Sequence, residues 1–493
     1  MHDVTPTTAL HIRRPSSTNA LLFVVCLAQF MVILDVAVVN VALPSMRDSL
    51  HFSTSGLQWV VNAYTLTFAG FMMLGGRCAD LLGRKRMFVA GTLLFALSSL
   101  LCALADSRGL LIGARALQGF GGAIVSPTTL SIITSSLPEG RERNRGLGAW
   151  AAVGGLGASS GALLGGVLTQ TLGWQAIFAI NVPLGAVAVA LALRVIPGDR
   201  AASGRRHFDL AGAVLVTAGL VSLTYGIVRT TAIGWGAAGV LGPLVLAAVL
   251  LGAFLLVESR VAKAPLVPLS IFRLPQLRAA NLIVLLMYFA LFSMFFFITL
   301  YLQQVLHDDA LEAGLAFLPM TLSVFTGSSL APRLVAWVGV RQVIAAGMVL
   351  ATAGLVLFTG VHPGGSYLAQ VLPGAILSGL GMGLALVSST IAATQGVPAG
   401  QSGLASGLLN MSRLFGGALG LAVLSTIATS VSQASDSTRA GQALTDGFGV
   451  AFTVGAAITL AGALLAVVLL RSRATAPVPG TLEPEVEDDL LAA

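Results

Sequence analysis

The chain has 493 residues, of which 56% are hydrophobic and only 10% charged, with 57 glycines. An average soluble domain carries about 25% charged residues, so this composition excludes an ordinary water-soluble globule. The formal charge of +7 lies mostly in short segments between apolar blocks, a distribution that orients membrane spans rather than one that binds nucleic acid.

The apolar blocks are about twenty residues long, the length that crosses a hydrocarbon core as a helix. They predict an all-α polytopic membrane protein with fourteen spans. In the first half these are 20–42, 57–76, 87–105, 109–137, 146–169, 174–196 and 209–229. The second set is 238–258, 280–304, 311–331, 341–360, 367–391, 402–430 and 447–470. The stretch after Arg13 and Arg14 lacks a small-residue cleavage site and reads as a retained first span rather than a signal peptide. Cys26, Cys78 and Cys102 have no metal-ligand spacing and imply neither a metal site nor a disulfide framework.

With the N-terminus in the cytoplasm, 21 of the 27 Lys and Arg residues fall in the N-terminal segment, the loops after even-numbered spans or the C-terminal tail. Arg47, Arg108, Arg229 and Arg439 fall outside, and Arg115 and Arg413 lie within spans. The bias places both termini in the cytoplasm. The acidic, Pro-containing tail 471–493 reads as disordered, and 1–19 as a cytoplasmic segment. Two six-helix bundles, 20–196 and 280–470, flank a linker region 197–279 with two inserted spans. A weak internal repeat supports the halves: "GRCADLLGRKR" (76–86) follows span 2 and "PRLVAWVGVR" (332–341) follows span 10. Gly83 then matches Gly339.

Span 1 contains one acid, Asp35, the only one of the 20 Asp and Glu residues well inside a span. An isolated charge there costs several kcal/mol, so Asp35 needs a partner or a function. It precedes Leu43 by about 12 Å of helix, and Arg115 follows the start of span 4 by about 9 Å, which puts the two at one level if the helices are neighbours. Two readings stand: a carboxyl that carries protons, and a permanent structural partner of Arg115 or the Asn40 region. In span 2, Gln58, Asn62 and Thr65 share a face that is able to orient a ligand.

The loop Gly76–Arg86 sets Asp80 ahead of Gly83, Arg84, Lys85 and Arg86, a spacing suited to a tight turn with charges at helix ends, or simply to a cytoplasmic anchor. In span 4, Arg115, Gln118 and Gly122 fall on one face. In span 5, Gly148, Gly157, Gly161, Gly165 and Gly166 strip side chains and permit close helix approach, which ordinary packing would also use. Span 9 carries Tyr288, Phe292 and Phe295 on one stripe, suited to stacking planar ligands or to packing. Met287, Met294 and Met320 are adaptable surface. Asn410 and Arg413 lie one turn apart in span 13, either lining a cavity, where Arg413 would take an anionic group, or serving structure.

These segments resemble the major facilitator superfamily in its fourteen-span drug:proton antiporter branch. The loop 76–86 is similar to the pattern G-x-x-x-D-x-x-G-R-[RK]-[RK], and Arg115, Gln118 and Gly119 to R-x-x-Q-G. Span 5 matches G-x8-G-x3-G-P-x2-G-G at every glycine from Gly148 to Gly166, with Ala162 in place of the proline. Leu34, Asp35 and Asn40 to Pro44 match L-D-x-T-I-V-N-V-A-L-P, with Ala37 replacing the threonine and so removing a hydroxyl expected near Asp35. "WQAIFAINVP" (174–183) and "FDLAGA" (208–213) also look like this branch.

The resemblance implies the major facilitator fold and proton-coupled efflux of antibiotics or similar hydrophobic compounds, neutral or monocationic, across a bacterial plasma membrane. Asp35 and Arg115 would couple protons, the loop 76–86 would gate, and the residues named in spans 1, 2, 4, 9 and 13 would line the cavity. A monomer driven by the proton gradient, with no cofactor or metal, is expected. The alternative is a dedicated exporter of an endogenous lipid or secondary metabolite. A channel would show rings of pore-lining charge and a sensor an output domain. No nucleophile–base pair or nucleotide-binding loop marks an enzyme.

Overall fold

The computed structural model describes residues 18–137, 141–198, 209–262, 265–266, 269–395, 397, 402–435 and 440–470. The expected terminal segments therefore lie almost wholly outside the described residues. Fourteen long helices run through the rest: α1 (Thr18–Leu50), α2 (Thr54–Leu82), α3 (Arg84–Ala103), α4 (Arg108–Ser136), α5 (Arg141–Leu172), α6 (Asn181–Val195) and α7 (Leu210–Ile233). They continue with α8 (Ala238–Leu256), α9 (Pro275–Leu300), α10 (Leu318–Val338), α11 (Val340–Phe358), α12 (Leu372–Thr394), α13 (Ser402–Ala434) and α14 (Ala440–Leu469). Among the described residues, 13 segments are long and apolar enough to cross a membrane, and α5, with 32 residues, is the fourteenth rod. The protein is a multi-pass membrane protein.

Local chemistry sets the helix ends. The Ser53 hydroxyl accepts from Gly56 N–H at the start of α2, and the Asp209 carboxylate does the same for Gly212 at the start of α7. Asp309 and Glu312 form a reciprocal capping box on the short helix Ala310–Ala316 that precedes α10, satisfying donors that a helix start leaves orphaned. In span 6 a single turn, Ala176–Ala179, leads into α6 through Ile180, which keeps helical dihedrals (φ −60°, ψ −28°).

The repeat suspected from sequence is present in the backbone. Gly83 joins α2 to α3 at φ 102°, and Gly339 joins α10 to α11 at φ 91°. Each donates its N–H four residues back, to Ala79 and Val335 respectively. Only glycine takes this conformation without strain, so one residue suffices for each turn.

Helices α1 to α6 pack on one another, with α1 against α5 and α2 against α4. Helices α9 to α14 repeat the arrangement, with α9 against α13 and α10 against α12. Glycine allows both first contacts. A Cβ on Gly165 would lie 2.9 Å from the Val38 carbonyl oxygen in α1, and one on Gly416 would lie 2.3 Å from the Leu285 carbonyl oxygen in α9. Of the inserted pair, α7 touches both α2 and α13 and so bridges the halves. Helix α8 exposes Val245, Val249, Leu255 and Leu256, an apolar face suited to lipid.

The start of α1 and the end of α14 share one face of the bundle, here the terminal face; the opposite one is the far face. At the far face the halves are bolted together. Arg47 Nη1 donates to Gln304 Oε1 at 2.7 Å, Gln303 Nε2 to the Val41 carbonyl at 2.8 Å and Gln170 Nε2 to Asp309 Oδ2 at 3.0 Å. A Cβ on Gly166 would stand 2.5 Å from the Ala310 carbonyl oxygen. Between these contacts lies a cavity of about 390 Å³, lined by residues that include Arg47, Asp48, Gln170 and Asp308.

Candidate coupling and substrate site

Asp35 sits midway along α1 with no exposed surface, and Arg115 on α4 is 1% exposed. Arg115 Nη1 meets Asp35 Oδ2 at 2.6 Å, and the same nitrogen donates to Gln118 Oε1 at 2.6 Å. Gln118 Nε2 returns a bond to Asp35 Oδ1 at 2.8 Å, closing a ring of three side chains. Arg115 Nε is held by the Val60 carbonyl of α2 at 3.0 Å. Its Cζ lies 4.3 Å from the Tyr64 ring centroid and 5.5 Å from that of Phe178. A buried ion pair is tolerated when its remaining donors and acceptors are also engaged; here both carboxylate oxygens and the Nε and Nη1 of the guanidinium are hydrogen-bonded.

A fourth side chain completes the site. Asn181, the first residue of α6, donates through Nδ2 to Asp35 Oδ1 and is also within 3.0 Å of Ser99 Oγ on α3. Ser99 in turn donates to the Phe178 carbonyl at 2.8 Å. Neither Asn181, Ser99 nor Tyr64 was singled out from the sequence; the signal available was a lone Asn inside the quoted "INVP" stretch.

The small residues of α5 hold α1 in place. A Cβ on Gly161 would fall 2.3 Å from Ala37 Cβ, and one on Gly157 3.1 Å from Ile33 Cγ2. Ala37 therefore faces α5. This corrects the expectation that a hydroxyl there would lie near Asp35: two residues on, the helix has turned about 200°, so position 37 points away from the carboxylate. The surroundings of Gly148 and Ala162 lie outside the described residues.

In the loop 76–86, a Cβ on Gly76 would stand 3.3 Å from Pro127. Arg84 Nε donates to Ser131 Oγ of α4 at 2.8 Å, and Lys85 Nζ to the Leu193 carbonyl at the end of α6, a favourable place for a cation. Arg77 reaches the Pro265 carbonyl in the segment leading to α9. Arg86 is exposed, and the side chain of Asp80 lies outside the described residues.

The expected cavity residues divide. Gln118 belongs to the Asp35 ring instead. Asn40 donates to the Val36 carbonyl of its own helix. Gln58 accepts from Ser425 Oγ at 2.7 Å, linking α2 to α13. Asn62, one turn along, is fully buried with neither side-chain atom partnered among the described residues. Phe295 packs on Phe317 with centroids 5.6 Å apart, and a Cβ on Gly417 would lie 3.0 Å from the Phe292 ring, so these two rings serve packing. Tyr288 lies under Arg413, whose Cζ is 4.9 Å from the ring centroid. Asn410 Nδ2 approaches Met72 Sδ of α2 at 3.0 Å, which places this turn of α13 at the junction between the halves.

The family model described as Major Facilitator Superfamily matches residues 25–421. The cephamycin export protein CmcT of Amycolatopsis lactamdurans is 41% identical over 467 residues, covering 94% of this chain and 95% of that protein. The puromycin resistance protein pur8 of Streptomyces alboniger is 39% identical, covering 92% of each. Among solved structures, the POT family transporter PepTSo superposes with a TM-score of 0.66 at 16% identity, over 92% of this chain and 98% of that one, a likeness of fold alone. The relatives are transporters, and so is this protein, which is not an enzyme. The chain belongs to the Major Facilitator Superfamily, in the drug-antiporter branch whose motifs it carries.

Proposed function

We propose that the protein exports hydrophobic antibiotic-like compounds across a bacterial plasma membrane in exchange for protons, with both termini in the cytoplasm. The observation that carries this reading is the Asp35–Arg115–Gln118–Asn181 ring. It holds the one acid buried well inside a span on a set of partners that can exchange a bond to the carboxylate for another. Protonating Asp35 removes the charge that holds Arg115, so the two protonation states favour different helix positions. In this reading the halves 20–196 and 280–470 rock about the junction at Gln58, Asn62, Asn410 and Arg413, and the bolted far face is the external gate in its closed state. The loop 76–86 steadies the opposite face.

The expectation of neutral or monocationic substrates took Asp35 as free to meet a cation. Both of its oxygens are occupied in this conformation, so it does not set substrate charge here. A narrower second reading, a dedicated exporter of one secondary metabolite, draws support from the relatives named for cephamycin and puromycin.

The test is efflux of radiolabelled puromycin from proteoliposomes under an imposed pH gradient, for wild type and Asp35→Asn. Gradient-driven efflux by wild type and its loss in the variant, with puromycin still bound, is the expected result. Equal gradient-driven efflux by both would leave Asp35 a purely structural group.

A further inference from the structure

Two arginines lie inside spans, and their surroundings differ. Arg115 has a carboxylate, a carboxamide, a backbone carbonyl and two ring faces. Arg413 has the Tyr288 ring and no hydrogen bond or ion pair among the described residues; its Nε is buried without a partner. It stands about 16 Å into α13 at 1.5 Å per residue, too deep for its charge to reach the helix end by snorkelling. Nearby polar groups are committed elsewhere: Ser412 donates to Asn281 Oδ1, Asn281 to the Leu277 carbonyl and Asn410 to Met72. The one acid well inside a span, Asp35, is held by Arg115.

A guanidinium in this setting is retained when something supplies the missing negative charge. From the incomplete shell of Arg413 at the junction of the halves, we infer that the protein's substrates include compounds with a carboxylate or comparable monoanionic group, which docks on Arg413 beside Tyr288. The inference rests on the export reading, and specifically on the junction being the substrate path. The planar fork of the guanidinium matches a carboxylate with two parallel bonds, and the Tyr288 ring holds the fork from the other side.

Equilibrium binding separates this inference from proton coupling. Full-length protein in lipid nanodiscs is titrated with three fluorescent probes that share one ring system: 9-anthracenecarboxylate, its methyl ester and 9-anthracenemethylammonium. The expected order places the carboxylate tightest. Arg413→Gln should weaken the carboxylate by about tenfold, the order expected when one charge-assisted hydrogen bond is lost. Arg413→Lys should recover only part of that loss, because lysine keeps the charge and not the fork. The ester should change less than threefold in both variants, which also reports that they are folded. Equal weakening of carboxylate and ester, or tighter binding of the ammonium than of the acid, would overturn the inference while leaving export intact. Absence of saturable binding by all three would overturn it together with the junction as substrate path. Gradient-driven efflux and its dependence on Asp35 are scored separately.

Discussion

Asp35 and Arg115 are 80 residues apart in sequence, and their side chains meet at 2.6 Å with no water-accessible surface on the carboxylate. Each is expensive to bury alone, and each is what makes the other tolerable. Removing Arg115 alone, as Arg115→Ala, strands the carboxylate and should destabilise the protein by about 3–5 kcal/mol. The double variant Asp35→Asn/Arg115→Gln should recover most of that loss, since a neutral pair needs only hydrogen bonds. Thermal unfolding followed by size-exclusion chromatography checks the pair, and an additive loss would show that the two act independently.

Asn181 is a positioning residue for Asp35. Asn181→Ala removes one donor to Oδ1 and releases Ser99, without touching the ion pair. The maximal rate of gradient-driven efflux should fall several-fold and its pH profile should shift, while equilibrium binding of puromycin stays within twofold. A change in binding with an unaltered pH profile would assign Asn181 to the substrate path instead.

The contact between α5 and α1 makes a paired test possible. Gly161→Ala puts a methyl group 2.3 Å from Ala37 Cβ, overpacking of the kind that costs about 1–3 kcal/mol. Adding Ala37→Gly removes the clashing atom, and the next neighbours stand at 3.4 Å, so stability and efflux should both return. Failure of this rescue would mean that Gly161 serves a conformation other than this one.

At the far face, the Asp308 carboxyl is pushed above its ordinary value of 3.8, first by burial and then by the like charges of Glu312 and Asp309. A carboxyl that binds its proton more tightly in the folded, closed face favours that face at low pH. The contribution is lost as pH rises from the ordinary value through the raised one. Closure should therefore strengthen on acidification across that window, and Asp308→Asn should flatten the response. Spin labels at Leu172, the last residue of α5, and Leu315, on the short helix before α10, both exposed, report the distance between the halves as pH is varied.

The sequence made the ion pair legible because depth along a helix is simple arithmetic, and because one acid stood alone among apolar residues. The tight turn at Gly83 and its partner at Gly339 were legible for a similar reason: a backbone need is written directly as glycine. Asn181 escaped because a single Asn in an apolar span reads the same whether it faces a carboxylate or a neighbouring backbone. Phe292 and Phe295 were given to the cavity because an aromatic stripe looks the same facing a ligand or a neighbouring helix. Only the positions of Phe317 and Gly417, distant in sequence, decide between those readings.

The turns at Gly83 and Gly339 have a mechanical consequence. A joint of one residue carries no slack, so the joined ends of α2 and α3, and of α10 and α11, must move together. Any displacement at the terminal-face end of one helix is delivered undiminished to its partner. Arg77, which donates to the Pro265 carbonyl, ties that end of α2 to the chain ahead of α9, so a movement there is felt by the other half as well.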